Sequence, residues 1–157
     1  MIQRRTRAIV GLLGLVLVTV GLVGLAQAEK PIKPRFSILS KDTEWVLDST
    51  TALQWQKAPA GSELMVWSTA FTHCADLGGG SRLPEVKELI SLVDYSVASP
   101  GPVLPAGHPF VDVQSAGYWS ATARAGNPTF VWYVLFDSGF VAGDALKSNA
   151  ARAWCVR

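Results

Sequence analysis

The chain has 157 residues, with 14 lysines and arginines, 12 aspartates and glutamates, and two cysteines. Three of the arginines and none of the acids fall within residues 1–28, so the formal charge of +2 becomes −1 over the remaining 129 residues. A body of that charge carries no electrostatic footprint for nucleic acid, while 129 residues suffice for one domain with a hydrophobic core.

Arg4, Arg5 and Arg7 precede an uncharged run from Ala8 to Leu25, and Ala26-Gln27-Ala28 then offers a small-x-small site before Glu29-Lys30. Basic end, apolar run and small-residue site together predict a secretory signal peptide over residues 1–28. The run is also about as long as a short membrane-spanning helix requires, so an uncleaved anchor is the alternative. Both readings put the body outside the cytoplasm, because the arginines stay inside. The expected location is periplasmic or secreted in a bacterium, with the membrane a partner only if the segment is retained.

Residues 29–41, with Pro31, Pro34 and scattered basic residues, read as an extended linker ahead of a domain over 42–157. Glu44 to Asp48 and Ala52 to Gln56 predict a short hairpin, with Ser49-Thr50-Thr51 as the turn. Lys57 to Leu64 is a loop. Trp67, Ala70, Phe71, Cys74 and Leu77 recur at three- and four-residue spacing, which predicts a helix ended by Gly78-Gly79-Gly80. A second helix starts near Pro84, with Glu85 and Glu88 at its positive end and Val86, Leu89, Ile90 and Val93 as its core stripe.

Residues 96–117 carry four prolines and three glycines without a sustained period, and predict a long loop of the functional or mobile kind. Strands follow at Gly117–Thr122, Phe130–Phe136 and Phe140–Leu146, with a turn at Asp137-Ser138-Gly139 and a last strand at Arg152–Val156. Two central helices between groups of short strands indicate an α+β fold. In an oxidising compartment the two cysteines, Cys74 and Cys155, favour a disulfide between helix and last strand; a reactive thiol is the alternative.

The residues offer little chemistry. Two histidines, His73 and His108, cannot build a histidine-rich metal site, and Gly78-Gly79-Gly80 lacks the Lys-Ser/Thr of a phosphate loop. No G-x-S-x-G elbow occurs. Asp137, Asp144 and Glu85 could share an ion only by tertiary proximity. No catalytic residue, metal or cofactor is therefore assigned. Six tryptophans invite a carbohydrate-binding reading, but each sits inside a predicted element, where large aromatics mainly fill core. Tyr118 and Tyr133 are ambiguous, since strand neighbours face opposite ways.

From Asp48 onward the chain resembles the Lcl C-terminal domain family. Asp48-x-x-Thr51-x-Leu53-x-Trp55 resembles its Asp-x-x-Thr-Gly-Leu-x-Trp opening, with Ala52 in place of the glycine. Trp67-x-x-Ala70-x-x-x-Cys74-x-x-Leu77 resembles its first helix, and Ser81-Arg82-Leu83-Pro84 with Glu88-Leu89 its Trp-Arg-Leu-Pro motif, with Ser81 for the tryptophan. Tyr118-Trp119-Ser120-x-Thr122, Trp132-x-Val134-x-Phe136-x-x-Gly139 and Trp154-Cys155-Val156-Arg157 follow in register.

The resemblance implies a C-type-lectin-like architecture: two helices flank small antiparallel sheets, and the helix cysteine is bridged to the last strand. It also implies recognition, because the family's best-known member is associated with adhesion and sulfated glycans. Sulfate binding needs clustered cations, and here Arg82, Arg124, Lys147 and Arg152 are scattered. The glutamate-proline-asparagine motif of calcium-dependent lectins is missing. The expectation is a non-enzymatic recognition or adhesion domain for an envelope protein or glycan. Its predicted contacts are Asp112, Gln114, Arg124 and Asn127 on the 96–117 loop and the 123–129 segment. The alternatives are an enzyme, since related folds include formylglycine-generating enzymes with reactive cysteines, and a structural subunit of an envelope assembly.

Overall fold

The computed structural model describes residues 33–60 and 63–157. The signal segment 1–28, cleaved or retained, lies outside the described residues.

Two antiparallel three-stranded sheets carry the chain. The first is ordered β1 (Phe36–Leu39), β2 (Asp42–Asp48), β3 (Gln54–Gln56). The second is β4 (Gly117–Ala123), β5 (Phe130–Leu135), β6 (Val141–Leu146), with helices α1 (Trp67–Asp76) and α2 (Val86–Ser91) in the sequence between the sheets. This is the α+β class. The segment read as linker contributes β1, whose Ser37 and Ile38 pair with Leu47 and Val46. Its signal is short: Phe36-Ser37-Ile38-Leu39 follows two prolines, and only Phe36 of the four is buried.

Residues 152–156 depart from the expected strand. They form isolated bridges, with Val156 opposite both Trp55 and Arg82, and Arg152 parallel to Tyr118. Backbone bonds run from Gln56 N to Cys155 O and from Gln54 N to Arg157 O on one sheet, and from Trp119 N to Arg152 O on the other. The segment changes partners every few residues, so it stitches the two sheets together instead of extending either. Its residues Ala153 to Val156 are fully buried.

Alternation along extended chain distributes the large side chains between two cores. Tyr118 and Trp154 enter one, with Trp55, Phe136, Leu89 and Leu92; their neighbours Trp119 and Cys155 enter the other, with Trp45, Ala70, Cys74 and Leu83. Trp154 is the hub of the first, within 5.0–5.7 Å of the Trp55, Phe110, Tyr118 and Phe136 rings. Four of the six tryptophans are buried, and Trp67 and Trp132 are half-buried, so these aromatics mainly build core.

The helix α1 ends where expected, with Gly78 to Gly80 all at positive φ, but only Ala70 and Cys74 of its stripe are buried. Phe71 and Leu77 are exposed, because the short helix packs through its two small residues against β4 and the bridge to Cys155. The bridge itself is formed, with Cα atoms 5.3 Å apart. The helix α2 starts two residues after Pro84, under a capping box in which Glu85 and Glu88 each hold the other's backbone N–H.

The 96–117 segment is a loop, as expected, but a pinned one. Val103, Leu104 and Phe110 are buried, Val103 N donates to Phe136 O, Val111 N to Lys57 O, and Gln114 N to the Tyr118 hydroxyl. Among the described residues no helix is long and apolar enough to cross a membrane.

Candidate functional site

The four predicted contact residues are exposed, and β4 stands between the two pairs. Asp112 and Gln114 precede its first residue, Gly117, whereas Arg124 and Asn127 follow its last, Ala123. A seven-residue strand spans up to roughly 20 Å, so the pairs occupy opposite ends of it. Each pair is also tied up locally. The Gln114 amide donates to Asp112 O, the Asn127 carboxamide accepts from Thr129 N, and the Arg124 guanidinium lies 5.9 Å from the Phe130 ring centroid.

The second sheet builds a more complete site on its other side. The register of β5 and β6 slips by one residue: Val131 faces Ala145, but Tyr133 faces Ala142. The extra residue makes a bulge at Gly143-Asp144, opposite Trp132. A bulge bends its strand and re-aims a side chain. Here the Trp132 ring lies against Gly143, where any Cβ would sit 2.8 Å from the ring carbons. Asp144 next to it is exposed and lines a cleft of about 280 Å³.

Trp119, Tyr133, Ala145 and residues 149–151 form the rest of that cleft. Trp119 is its floor: the residue is buried, and its indole N–H is committed to Met65 O at 2.7 Å. Tyr133 is paired with Trp119 across the strands, with ring centroids 6.2 Å apart. Its ring is laid over Gly117, where an added Cβ would approach Cε2 to 2.8 Å. Glycine at 117 is thus what lets the tyrosine lie along the sheet. Asn149 is held by its backbone, Asn149 N donating to Leu146 O. No side-chain hydrogen bond within the described residues engages the Tyr133 hydroxyl, the Asp144 carboxylate or the Asn149 amide.

Three cations are engaged away from the cleft. Arg82 makes two 2.8 Å bonds to Glu88, which raises its pKa, and Lys147 Nζ lies 4.2 Å from the Trp67 ring centroid. Arg157 holds Asp42 and Gln54 and covers the Trp45 ring. Among the described residues, the lining of the cleft contains no lysine or arginine. A second, more open depression is lined by Tyr95, Leu135, Ser138, Gly139, Phe140 and Val141, and is mostly apolar.

Other chemistry is sparse among the described residues. No group of three or more His, Cys, Asp or Glu side chains could hold a metal ion, so Asp137, Asp144 and Glu85 are not brought together as one. Both cysteines are in the bridge and none is free. His108 is half-buried and stacked on Phe110 at 5.7 Å, and burial lowers its pKa.

Sequence reasoning left Tyr133 ambiguous, tried Asp144 only as an ion ligand and passed over Asn149. Strand periodicity predicts alternate faces, and a one-residue bulge resets that alternation without a marker in the sequence beyond Gly143 itself.

The chain belongs to the Lcl C-terminal domain family, whose profile matches residues 44–157. No curated protein and no solved structure matches it.

Proposed function

We propose that this protein is an exported, non-enzymatic recognition domain of the bacterial cell envelope, and that it binds an envelope protein or glycan through the cleft of Tyr133, Asp144 and Asn149. The observation that carries the reading is the set of three polar side chains without a partner among the described residues, held on a bulged, disulfide-stapled sheet. Ligand sites of this kind combine an aromatic wall with a few convergent polar groups on a rigid scaffold. The exposed Asp112–Gln114 and Arg124–Asn127 loops, at the two ends of β4, stay the alternative contact surfaces.

A C-type-lectin-like architecture fits the two small sheets and the bridge from α1 to the C-terminal segment. The bridge also speaks against the formylglycine-type alternative, because it leaves no thiolate to act as a nucleophile. It is the type of cross-link expected of an exported chain, in keeping with the signal segment.

The test is capture from envelope extracts by the purified protein and its Asn149→Ala variant. Capture that the substitution weakens supports the reading; a fold-intact variant that captures the same material equally well sinks it. Incorporation of the chain as a stoichiometric component of an isolated envelope assembly, unaffected by the substitution, would favour the structural-subunit alternative.

A further inference from the structure

The cleft's chemistry narrows its ligand, on the premise that the cleft is the recognition site. An anionic ligand would meet the Asp144 carboxylate with no lysine or arginine among the described lining residues to offset it. A bare cation would find one carboxylate only, short of the several oxygen ligands it collects, since no group of three or more acidic or histidine side chains is assembled among the described residues. The three polar groups are mixed: Asp144 only accepts, Asn149 donates and accepts, and the Tyr133 hydroxyl does both. That mixture matches a ligand whose own groups both donate and accept at neighbouring positions. A hydroxyl does so; a sulfate or ammonium does not.

The aromatic part points the same way. The half-buried Tyr133 ring is fixed over Gly117 and backed by Trp119, so it presents an ordered apolar surface beside the polar groups. A ligand with an apolar C–H face and hydroxyls around its rim satisfies both halves. We infer that the cleft binds an uncharged, hydroxyl-rich sugar ring, with Tyr133 against its C–H face and Asp144 and Asn149 reading adjacent hydroxyls.

The size agrees with one ring or little more, since a cleft of about 280 Å³ lies at the lower end of small-molecule sites. Gly117 is a positioning residue in this arrangement, because any side chain there displaces the Tyr133 ring.

The experiment uses the full chain purified from the envelope fraction, applied to uncharged oligosaccharides of glucose, galactose, mannose and N-acetylglucosamine beside heparin and chondroitin sulfate. Retention on at least one uncharged class is expected, and it should persist in 0.5 M salt, on the order of a Debye length of only a few ångströms. Asn149→Ala and Asp144→Asn should each weaken it about tenfold, the loss of one or two hydrogen bonds. Tyr133→Ala and Gly117→Ala should weaken it as much. Because the last two touch the sheet, their melting curves are compared with the parent, and the two exposed-residue variants keep the inference falsifiable if they unfold.

Retention on the sulfated glycans alone, on no glycan, or on an uncharged glycan indifferent to Asn149→Ala and Asp144→Asn would overturn the assignment. If envelope capture falls with Asn149→Ala while no uncharged glycan is retained, the sugar assignment fails and the recognition reading survives. If capture is also indifferent, both fail.

Discussion

Arg35 grips Asp48 with two nitrogens, Nε to Oδ1 at 3.0 Å and Nη2 to Oδ2 at 2.7 Å, and the same Nη2 donates to Ser91 O at the end of α2. One side chain thus joins the segment before β1 to the end of β2 and to a helix.

Asp48→Ala should destabilise the fold by about 2–3 kcal/mol in urea unfolding. It strands a partly exposed guanidinium and removes the acceptor of Thr50 N. Burial by itself would raise the Asp48 pKa, but the Arg35 bonds and charge, the Thr50 amide and the Thr51 hydroxyl outweigh it and hold the carboxyl below its usual 3.8. A depressed folded pKa contributes stability above the unfolded value that is lost as pH falls through the folded one. Acid unfolding should therefore steepen below about pH 4 in the parent, and Asp48→Asn should lose that part of the slope. An unchanged acid limb would refute this account of the pair.

Ala52 adopts φ +61° in the turn between β2 and β3, at the position where the family pattern has glycine. A left-handed conformation costs an L-residue with a Cβ roughly 1–2 kcal/mol. Ala52→Gly should recover most of that, less the entropy glycine adds to the unfolded chain, for a net gain of about 0.5–1 kcal/mol. Thermal unfolding would read it as a rise of a few degrees, and a fall would show that the turn is not strained there.

Reducing the Cys74–Cys155 bridge should lower stability by about 4 kcal/mol, the chain-entropy value for closing so long a loop. Both sulfur-bearing residues are fully buried. The native protein should therefore react with thiol reagents only after denaturation and reduction, and two reactive thiols in the native protein would refute the pairing.

His108 has its pKa lowered by burial, and its Nδ1 has no partner among the described residues. A base with a depressed folded pKa contributes stability above its unfolded value of about 6.5, and that contribution declines as pH falls towards the folded value. Stability should therefore drop on acidification just below pH 6.5, and His108→Gln should flatten that stretch of the curve. A parallel curve for the variant would place the titration elsewhere.

The features legible in the sequence were those with a period or a punctuating residue. The α1 spacing, its glycine stop and the three strands after Gly117 carry such signals, and the two cysteines pair as expected. Segments whose structure depends on tertiary partners were not legible. Phe36 to Leu39 becomes a strand because β2 offers an edge and Arg35 finds Asp48. Residues 152–156 look like a strand yet divide their bonds between two sheets. The loop after Val97 looked mobile because its prolines break periodicity, whereas Val103, Leu104 and Phe110 bury it. Ser81, which stands for the family's tryptophan, is buried, and its hydroxyl has no partner among the described residues, a placement that motif reading alone does not locate. The cleft suffered most, because its geometry hangs on one inserted residue.

That inserted residue has an effect beyond the cleft. Strand β6 is the outer strand of its sheet, with no neighbouring strand on its far side among the described residues. A long, straight outer strand is a template on which another unfolded chain can zip itself. The kink at Gly143-Asp144 breaks the run of evenly spaced backbone groups, and the carboxylate at the kink is a poor seat for an incoming apolar strand. The residue that lines the cleft is thus also the one that guards the edge of β6 against pairing with another chain.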